Sequence, residues 1–327
     1  MLLRRVLLGR KIVLCFGAGV DSTAVLLVLR AAGIRPDIIT FANTGGEKPE
    51  TLEHIARVNV LLREWGWPEI VICVKQTLSS TPYNTLEGEC LANATLPSLA
   101  FGLKTCSLKW KMGPQDQYIM GAQSGPNARE PQPLWIEAEA NGERIVKLIG
   151  YDSSPADIRR RLNWQTSGGD GPFDNVYPLQ LIGWHRVDCV EAIVETLGLE
   201  LLPIKSACFF CPASKHWELY WLAAVHPELL ERALLMERVA LAGKHSWLKD
   251  LEFGEEWESS IQGVKRFPGT KGTVGLGRSF SWNHWARVNG VVNERFEVYR
   301  EKADQFACLA RALQEEEDNA LDIRSCA

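Results

Sequence analysis

The chain has 327 residues, 46% of them apolar, and a formal net charge of −4, enough for one large domain or two smaller ones with a real core. That balance excludes a global basic field aimed at DNA, RNA or a membrane, leaving only a local basic groove, and no apolar run reaches the roughly 18–20 residues of a spanning helix. Nine cysteines without a signal-peptide pattern point to a reducing, cytoplasmic setting, with free thiols or metal ligands in place of disulfides.

In chain order, residues 2–8 read as the entry to a first strand, Lys11 to Phe16, of the fully buried kind. Gly17-Ala18-Gly19-Val20-Asp21-Ser22-Thr23 follows, with a helix expected from Ser22 to about Ala32 and a stop at Gly33. Strand, small-residue turn and helix are the parts of a phosphate site. Small residues admit backbone N–H groups to the anion, the helix N-terminus adds about half a positive charge, and the Ser22 and Thr23 hydroxyls add donors. The Gly-Lys-Ser/Thr ending of a Walker loop and the third glycine of a dinucleotide fingerprint are both missing.

A second strand is expected at Asp37 to Phe41, a helix from Pro49 to about Trp65, and a third strand at Glu69 to Val74. Residues 76–103 are loop-rich and 121–133 look like a flexible surface insertion. Arg144 to Ile149 is a further strand. Ser154-Pro155-Ala156-Asp157 opens a helix carrying Arg159, Arg160 and Arg161, and 165–175 is a glycine-rich loop. A helix from about Val187 to Thr196 precedes long helices, whose stripe Trp217, Tyr220, Trp221, Ala224 and Val225 has the spacing of a core face. Residues 263–281 read as a basic, glycine-rich surface loop, Val298 to Leu313 as a last helix, and Glu315 to Asp318 as a frayed acidic tail. The pattern specifies an α/β fold, a doubly wound parallel sheet over 1–205, with a helical C-terminal region over 206–327. Ligands of such sheets sit beyond the carboxyl ends of the strands, where Gly17 and Asn43 fall.

Cys208-x-x-Cys211 is the sharpest chemical signal, since a tight turn can aim both sulfurs at one metal centre. Cys106 and Cys189 are the best further ligands, because each sits beside charged or polar positions. Cys15 and Cys73 lie in buried strands, and Cys90, Cys308 and Cys326 have no assignment. Iron–sulfur and zinc both accept four thiolates. Phe209 and Phe210 would shield a cluster from water, and His185 reads as structural.

These motifs together resemble the phosphoadenosine phosphosulfate reductase-like branch of the PP-loop (adenine nucleotide alpha hydrolase) superfamily, near the iron–sulfur members of DNA phosphorothioation. The likeness covers about residues 11 to 225. It rests on Gly17 to Thr23 against the loop Ser-Gly-Gly-x-Asp-Ser, on Phe41-Ala42-Asn43-Thr44-Gly45 with Pro49-Glu50-Thr51, on Thr105-Cys106-Ser107 with Lys109, on Gly150 with Arg159, on Tyr177-Pro178-Leu179 through Cys189, and on Lys205 to Pro212. The resemblance implies ATP or a sulfonucleotide on Gly17–Thr23, with Mg2+, with Asn43, Thr44 and Gly45 near base or ribose, and with Gly150 and Arg159 at the nucleotide. Asp21 and Ser22 are then catalytic, and Cys106, Cys189, Cys208 and Cys211 match the ligands of a [4Fe-4S] cluster, with zinc as the alternative. The first Ser and first Gly of the loop are replaced by Gly17 and Ala18, Asn43 stands for the usual Asp, and the reductase's C-terminal Glu-Cys-Gly-His-type tail is absent. The expectation is a PP-loop ATP pyrophosphatase that adenylates an acceptor for sulfur transfer. Its expected partners are an anionic acceptor, nucleic acid among them, and a sulfur donor such as a cysteine desulfurase, with no membrane. The alternatives are a sulfonucleotide reductase and a non-catalytic nucleotide-binding subunit.

Overall fold

A computed structural model describes residues 2–76, 81, 83–122, 128–166, 171–244 and 274–291. In chain order the elements are α1 (Leu2–Leu7), β1 (Ile12–Cys15), α2 (Val20–Ala31), β2 (Ile38–Asn43), α3 (Pro49–Glu64), β3 (Ile70–Val74) and α4 (Leu86–Ala92). A 3-10 turn (Ser98–Phe101), a one-turn helix (Thr105–Ser107) and a π-helical stretch (Leu108–Met112) lead to α5 (Gly113–Met120), α6 (Pro133–Ala140), β4 (Ile145–Ile149), α7 (Pro155–Thr166) and β5 (Phe173–Val176). The chain continues through α8 (Arg186–Leu197), α9 (His216–Val225), α10 (Pro227–Lys244) and α11 (Trp282–Val288).

The chain divides into two compact units. The first comprises residues 1–43, 47–78 and 110–206 and holds a five-stranded sheet in the order β3-β2-β1-β4-β5, parallel throughout. The expected parallel α/β sheet is therefore present. β1 is central because Ile12, Val13 and Leu14 are apolar in succession, and all three are buried. Their alternation feeds two cores. Ile12 and Leu14 pack with Val25 and Leu29 of α2 and Ile193 of α8, whereas Val13 packs with Ile119 of α5, Ala138 of α6 and Phe173 of β5. From β1 the chain steps outward through β2 to β3, then returns to lay β4 against the other side of β1. The order reverses between β1 and β4, so the crevice for ligands opens beyond their carboxyl ends.

The second unit gathers residues 44–46, 79–109 and 207–327, so segments assigned by sequence to the α/β region belong with the C-terminal helices. In it Glu237 of α10, fully buried, accepts from the backbone N–H groups of Leu276, Trp282 and Asn283, from Ser281 Oγ and from Asn283 Nδ2 at 2.5–2.9 Å.

Several expectations are corrected. Residues 2–7 form a helix, burying Leu3 and Leu7 one turn apart, and do not enter the strand. The loop-rich stretch 76–103 contains α4, capped by Thr85, whose hydroxyl accepts from the Gly88 N–H at 3.0 Å. The 165–175 loop hides β5. Trp217, Tyr220 and Val225 are 61%, 48% and 49% exposed, so the α9 stripe is not a core face among the described residues. Residues 274–281 of the expected surface loop are held by Glu237, with Leu276 fully buried. Residues 123–127 of the insertion, residues 263–273, the expected last helix, the acidic tail, Cys308 and Cys326 lie outside the described residues.

Candidate phosphate site and thiol centre

In the first unit, Gly17 to Thr23 connects β1 to α2 as the sequence requires. Ala18 is buried in the left-handed region, φ 54°, where the resembled loop carries glycine. A side chain there costs roughly 1–2 kcal/mol, strain of the kind held at functional turns. The Ser22 hydroxyl donates to the Gly19 carbonyl at 3.0 Å and accepts from the Gly19 N–H at 3.1 Å, and the Thr23 hydroxyl donates to the same carbonyl at 3.0 Å. These bonds set both hydroxyls at the mouth of the helix.

Sequence reasoning missed His54. Its Nε2 lies 2.9 Å from Thr23 Oγ1; with the Thr23 hydrogen spent on Gly19, neutral His54 donates. Burial, with Arg57 adding to it, lowers its pKa to about 4. The available signal was its position with Thr51, Ile55, Val58 and Leu62 on the buried stripe of α3.

β4 supplies the opposite wall of the crevice. A Cβ on Gly150 would stand 2.9 Å from Ser22 N and 3.1 Å from the Asp21 carbonyl carbon, both backbone, so only glycine lets β4 end this close to the loop. Directly after it comes the second feature missed in the sequence. Asp21, Asp152 and Asp157 are all buried and bring one oxygen each within 4.8 Å of one another. Asp21 Oδ2 pairs with Arg186 at 2.9 Å, Asp157 Oδ1 with Arg160 at 2.6 Å, and Asp152 Oδ1 accepts from the Ser154 N–H at 2.9 Å. Asp21 Oδ1 is buried and accepts no hydrogen bond. Burial raises the Asp21 pKa to about 6, opposed by Arg186 and reinforced by the carboxylates of Asp152 and Asp157. Burial likewise raises Asp157. Three desolvated acids with an orphaned oxygen form a donor set suited to a hard divalent cation. Of the arginine run, Arg160 reaches these acids, while Arg159 is exposed. His185 is the N-cap of α8, its N–H bonded to Asp188 at 2.7 Å.

The thiols fall in both units. Cys189 lies in the first, fully buried in the core with Leu179 and Ile193, its pKa pushed up to about 12 by burial and, next, by the Asp21 charge. Cys106, Cys208 and Cys211 lie in the second. Cys208 and Cys211 flank a turn closed by the Cys211 N–H on the Cys208 carbonyl at 3.0 Å. Phe209 and Phe210 within it are buried, edge to face at 4.7 Å, as a water-excluding wall requires. Of the three residues expected near base or ribose, Thr44 places its hydroxyl 3.2 Å from Cys208 Sγ. Gly45 is exposed in a left-handed turn, and Asn43 ends β2 in the first unit. Gly46 is compelled by packing: a Cβ there would meet the Phe210 ring at 2.5 Å and the Cys208 Cβ at 3.3 Å. Among the described residues, no three thiols gather at the roughly 3.8 Å spacing that tetrahedral zinc with 2.3 Å bonds would need.

No helix among the described residues is long and apolar enough to cross a membrane. No protein-family profile and no curated protein matches the chain. Among solved structures, it is similar to the U34-tRNA thiolase NcsA from Methanococcus maripaludis with its [4Fe-4S] cluster, at 14% identity over 78% of each chain and a TM-score of 0.36; an overlap that low carries no weight for function.

Proposed function

We propose that this chain is a PP-loop ATP pyrophosphatase that adenylates an acceptor for sulfur transfer. The observation carrying the proposal is the convergence, at the β1/β4 switch point, of a small-residue loop, the N-terminus of α2 and three buried carboxylates. The N–H groups opening α2 receive the phosphate oxygens of ATP, and the Ser22 hydroxyl turns from the Gly19 carbonyl to join them, while Thr23 stays on that carbonyl. Asp21, Asp152 and Asp157 would hold Mg2+, which supplies charge neutralisation on the departing pyrophosphate. An acceptor oxygen attacks the α-phosphorus, the bond to the bridging oxygen breaks, and pyrophosphate leaves with that electron pair. A sulfur nucleophile then displaces AMP. Arg186 and Arg160, paired with Asp21 and Asp157, keep the acids ionised for the metal.

The thiols of Cys106, Cys208 and Cys211 fit a thiolate-bound centre, because they share a unit with a buried aromatic wall. A [4Fe-4S] cluster held there would supply a place to keep or reduce sulfur. In this reading the partners are ATP, an anionic acceptor such as a nucleic acid, and a sulfur donor of the cysteine desulfurase kind, in the cytoplasm. The chain then stands with the phosphorothioation-type members of its resembled branch.

The test is pyrophosphate release from ATP with Mg2+ across a panel of tRNA and DNA acceptors. Release is expected, and Asp21→Asn and Ser22→Ala are each expected to lower it about 100-fold or more, the scale of removing one charge-stabilising group. Sulfite from a sulfonucleotide and a thiol donor, with no pyrophosphate from ATP, would replace this reading with the reductase.

A further inference from the structure

Cys90 belongs to no site so far. It is 1% exposed, on α4, one turn after Leu86, and these are the two buried residues of that helix. The start of α4 is tied to the residues that cradle Cys208. The Leu86 N–H donates to the Thr44 carbonyl at 2.9 Å, the Thr44 hydroxyl touches Cys208 Sγ, and the Phe209 N–H donates to the Gly46 carbonyl at 2.9 Å. The far end of α4 leads to Cys106. The Thr95 N–H closes on the Cys90 carbonyl at 2.9 Å, and the Cys106 N–H donates to Ser98 Oγ at 2.8 Å in the turn that follows. Both segments are thus tied to the helix that carries Cys90.

We infer that Cys90 is the fourth thiolate of the centre formed by Cys106, Cys208 and Cys211, so that the second unit carries the whole ligand set. The inference rests on the metal–thiolate reading proposed above and takes the place there of Cys189, which is packed into the core of the first unit. Cys90 ionises with difficulty, through burial first, then the charge of Glu89, then the sulfurs of Cys106 and Cys208. The Glu89–Lys109 ion pair holds the segment that follows Cys106 against α4, beside Cys90. Glu87 and Glu89, beside it, are already paired with Arg232 and Lys109, so their charges are partly neutralised. A metal would offset the remaining cost by binding the thiolate and releasing its proton. Four protein thiolates also leave no iron of a cubane open to an outside ligand, so sulfur could reach the metal only by displacing one of them.

The full chain and its Cys90→Ala, Cys90→Ser and Cys189→Ala variants are reconstituted anaerobically with iron and sulfide. Each is then read by iron and sulfide content and by Mössbauer and electron paramagnetic resonance spectra. The wild type is expected to hold about four irons per chain, with Cys189→Ala indistinguishable from it. Cys90→Ala is expected to lose about one iron in four on mild oxidation. Cys90→Ser, closest in shape, is expected to stay folded by circular dichroism and to shift the spectrum of one iron. Equal content and spectra in wild type and both Cys90 variants would overturn the inference, as would loss of iron in Cys189→Ala alone. A wild type that binds neither iron nor zinc would instead overturn the metal–thiolate reading beneath it.

Discussion

Asp21 and His54 sit on adjacent elements of one site, and burial shifts the pKa of each toward the uncharged form, with opposite consequences for pH. The Asp21 pKa lies near 6 against 3.8 when unfolded, so its contribution is present below pH 3.8 and is lost as pH rises through 6. The His54 pKa lies near 4 against 6.5, so its contribution is present above pH 6.5 and is lost as pH falls through 4. Each is worth on the order of 3 kcal/mol at 1.36 kcal/mol per pKa unit. Between pH 4 and 6 the two slopes oppose and cancel. Asp21→Asn removes one of them, and is expected to melt several degrees higher than wild type at pH 7 in metal-free buffer. Urea unfolding of this variant should show stability rising steadily from pH 4 to 6.5, where the wild type stays nearly flat. A variant no more stable than wild type at pH 7 would mean that the acids are not strained by burial. The phosphate loop was legible because its residue types are the chemistry. The acid trio was not, because Asp152 and Asp157 stand more than 130 positions after Asp21 and only the β1–β4 pairing brings them together.

At the scale of elements, the decisive contact is the end of β4 against the phosphate loop. Gly150→Ala would drive a Cβ into backbone that has no rotamer to change. Overpacking of that kind typically costs about 1–3 kcal/mol, and moving the loop should weaken nucleotide binding tenfold or more in calorimetry while the far-ultraviolet spectrum stays unchanged. Wild-type affinity in this variant would show that the loop gives way freely. The apolar strands and the periodic helices were readable: β1, β2, β3, β4, α2, α3 and α8 lie within two residues of their expected bounds. β5 was not, since Phe173-Asp174-Asn175-Val176 is short, half polar, and a strand only because β4 lies beside it. α4 is seven residues long with two buried positions, too little periodicity to separate it from loop. The α9 stripe failed for the converse reason, since helical spacing identifies a face without saying what covers it.

Across the whole molecule, the sequence order of the motifs conceals how they are shared out. The phosphate-loop residues, Gly150, Arg159 and Cys189 fall in the sheet-bearing unit, whereas Thr44, Gly45, Cys90, Cys106, Cys208 and Cys211 fall in the unit that threads back through 44–46 and 79–109. The sequence places Cys189 with the other three on its charged and polar neighbours, and such a neighbourhood looks alike whether the thiol faces solvent or, as here, a core. If the thiol centre is one unit's own, chelating its metal should loosen that unit selectively. Hydrogen exchange after chelation is expected to speed by about tenfold or more in α4 and α9, with the strands β1 and β4 unchanged. Uniform loosening of both units would contradict an independent thiol centre.

The trio of buried acids below the phosphate loop also bears on the order in which ligands arrive. Three carboxylates crowded into a dry crevice repel a triphosphate as strongly as they attract a cation. A nucleotide stripped of its metal therefore meets a like-charged wall, whereas the cation–nucleotide complex arrives with its charge already matched. Under the proposed function the loop thus selects the complex as its substrate, and occupancy should follow the concentration of metal-bound nucleotide, with the bare form a poor competitor even in large excess.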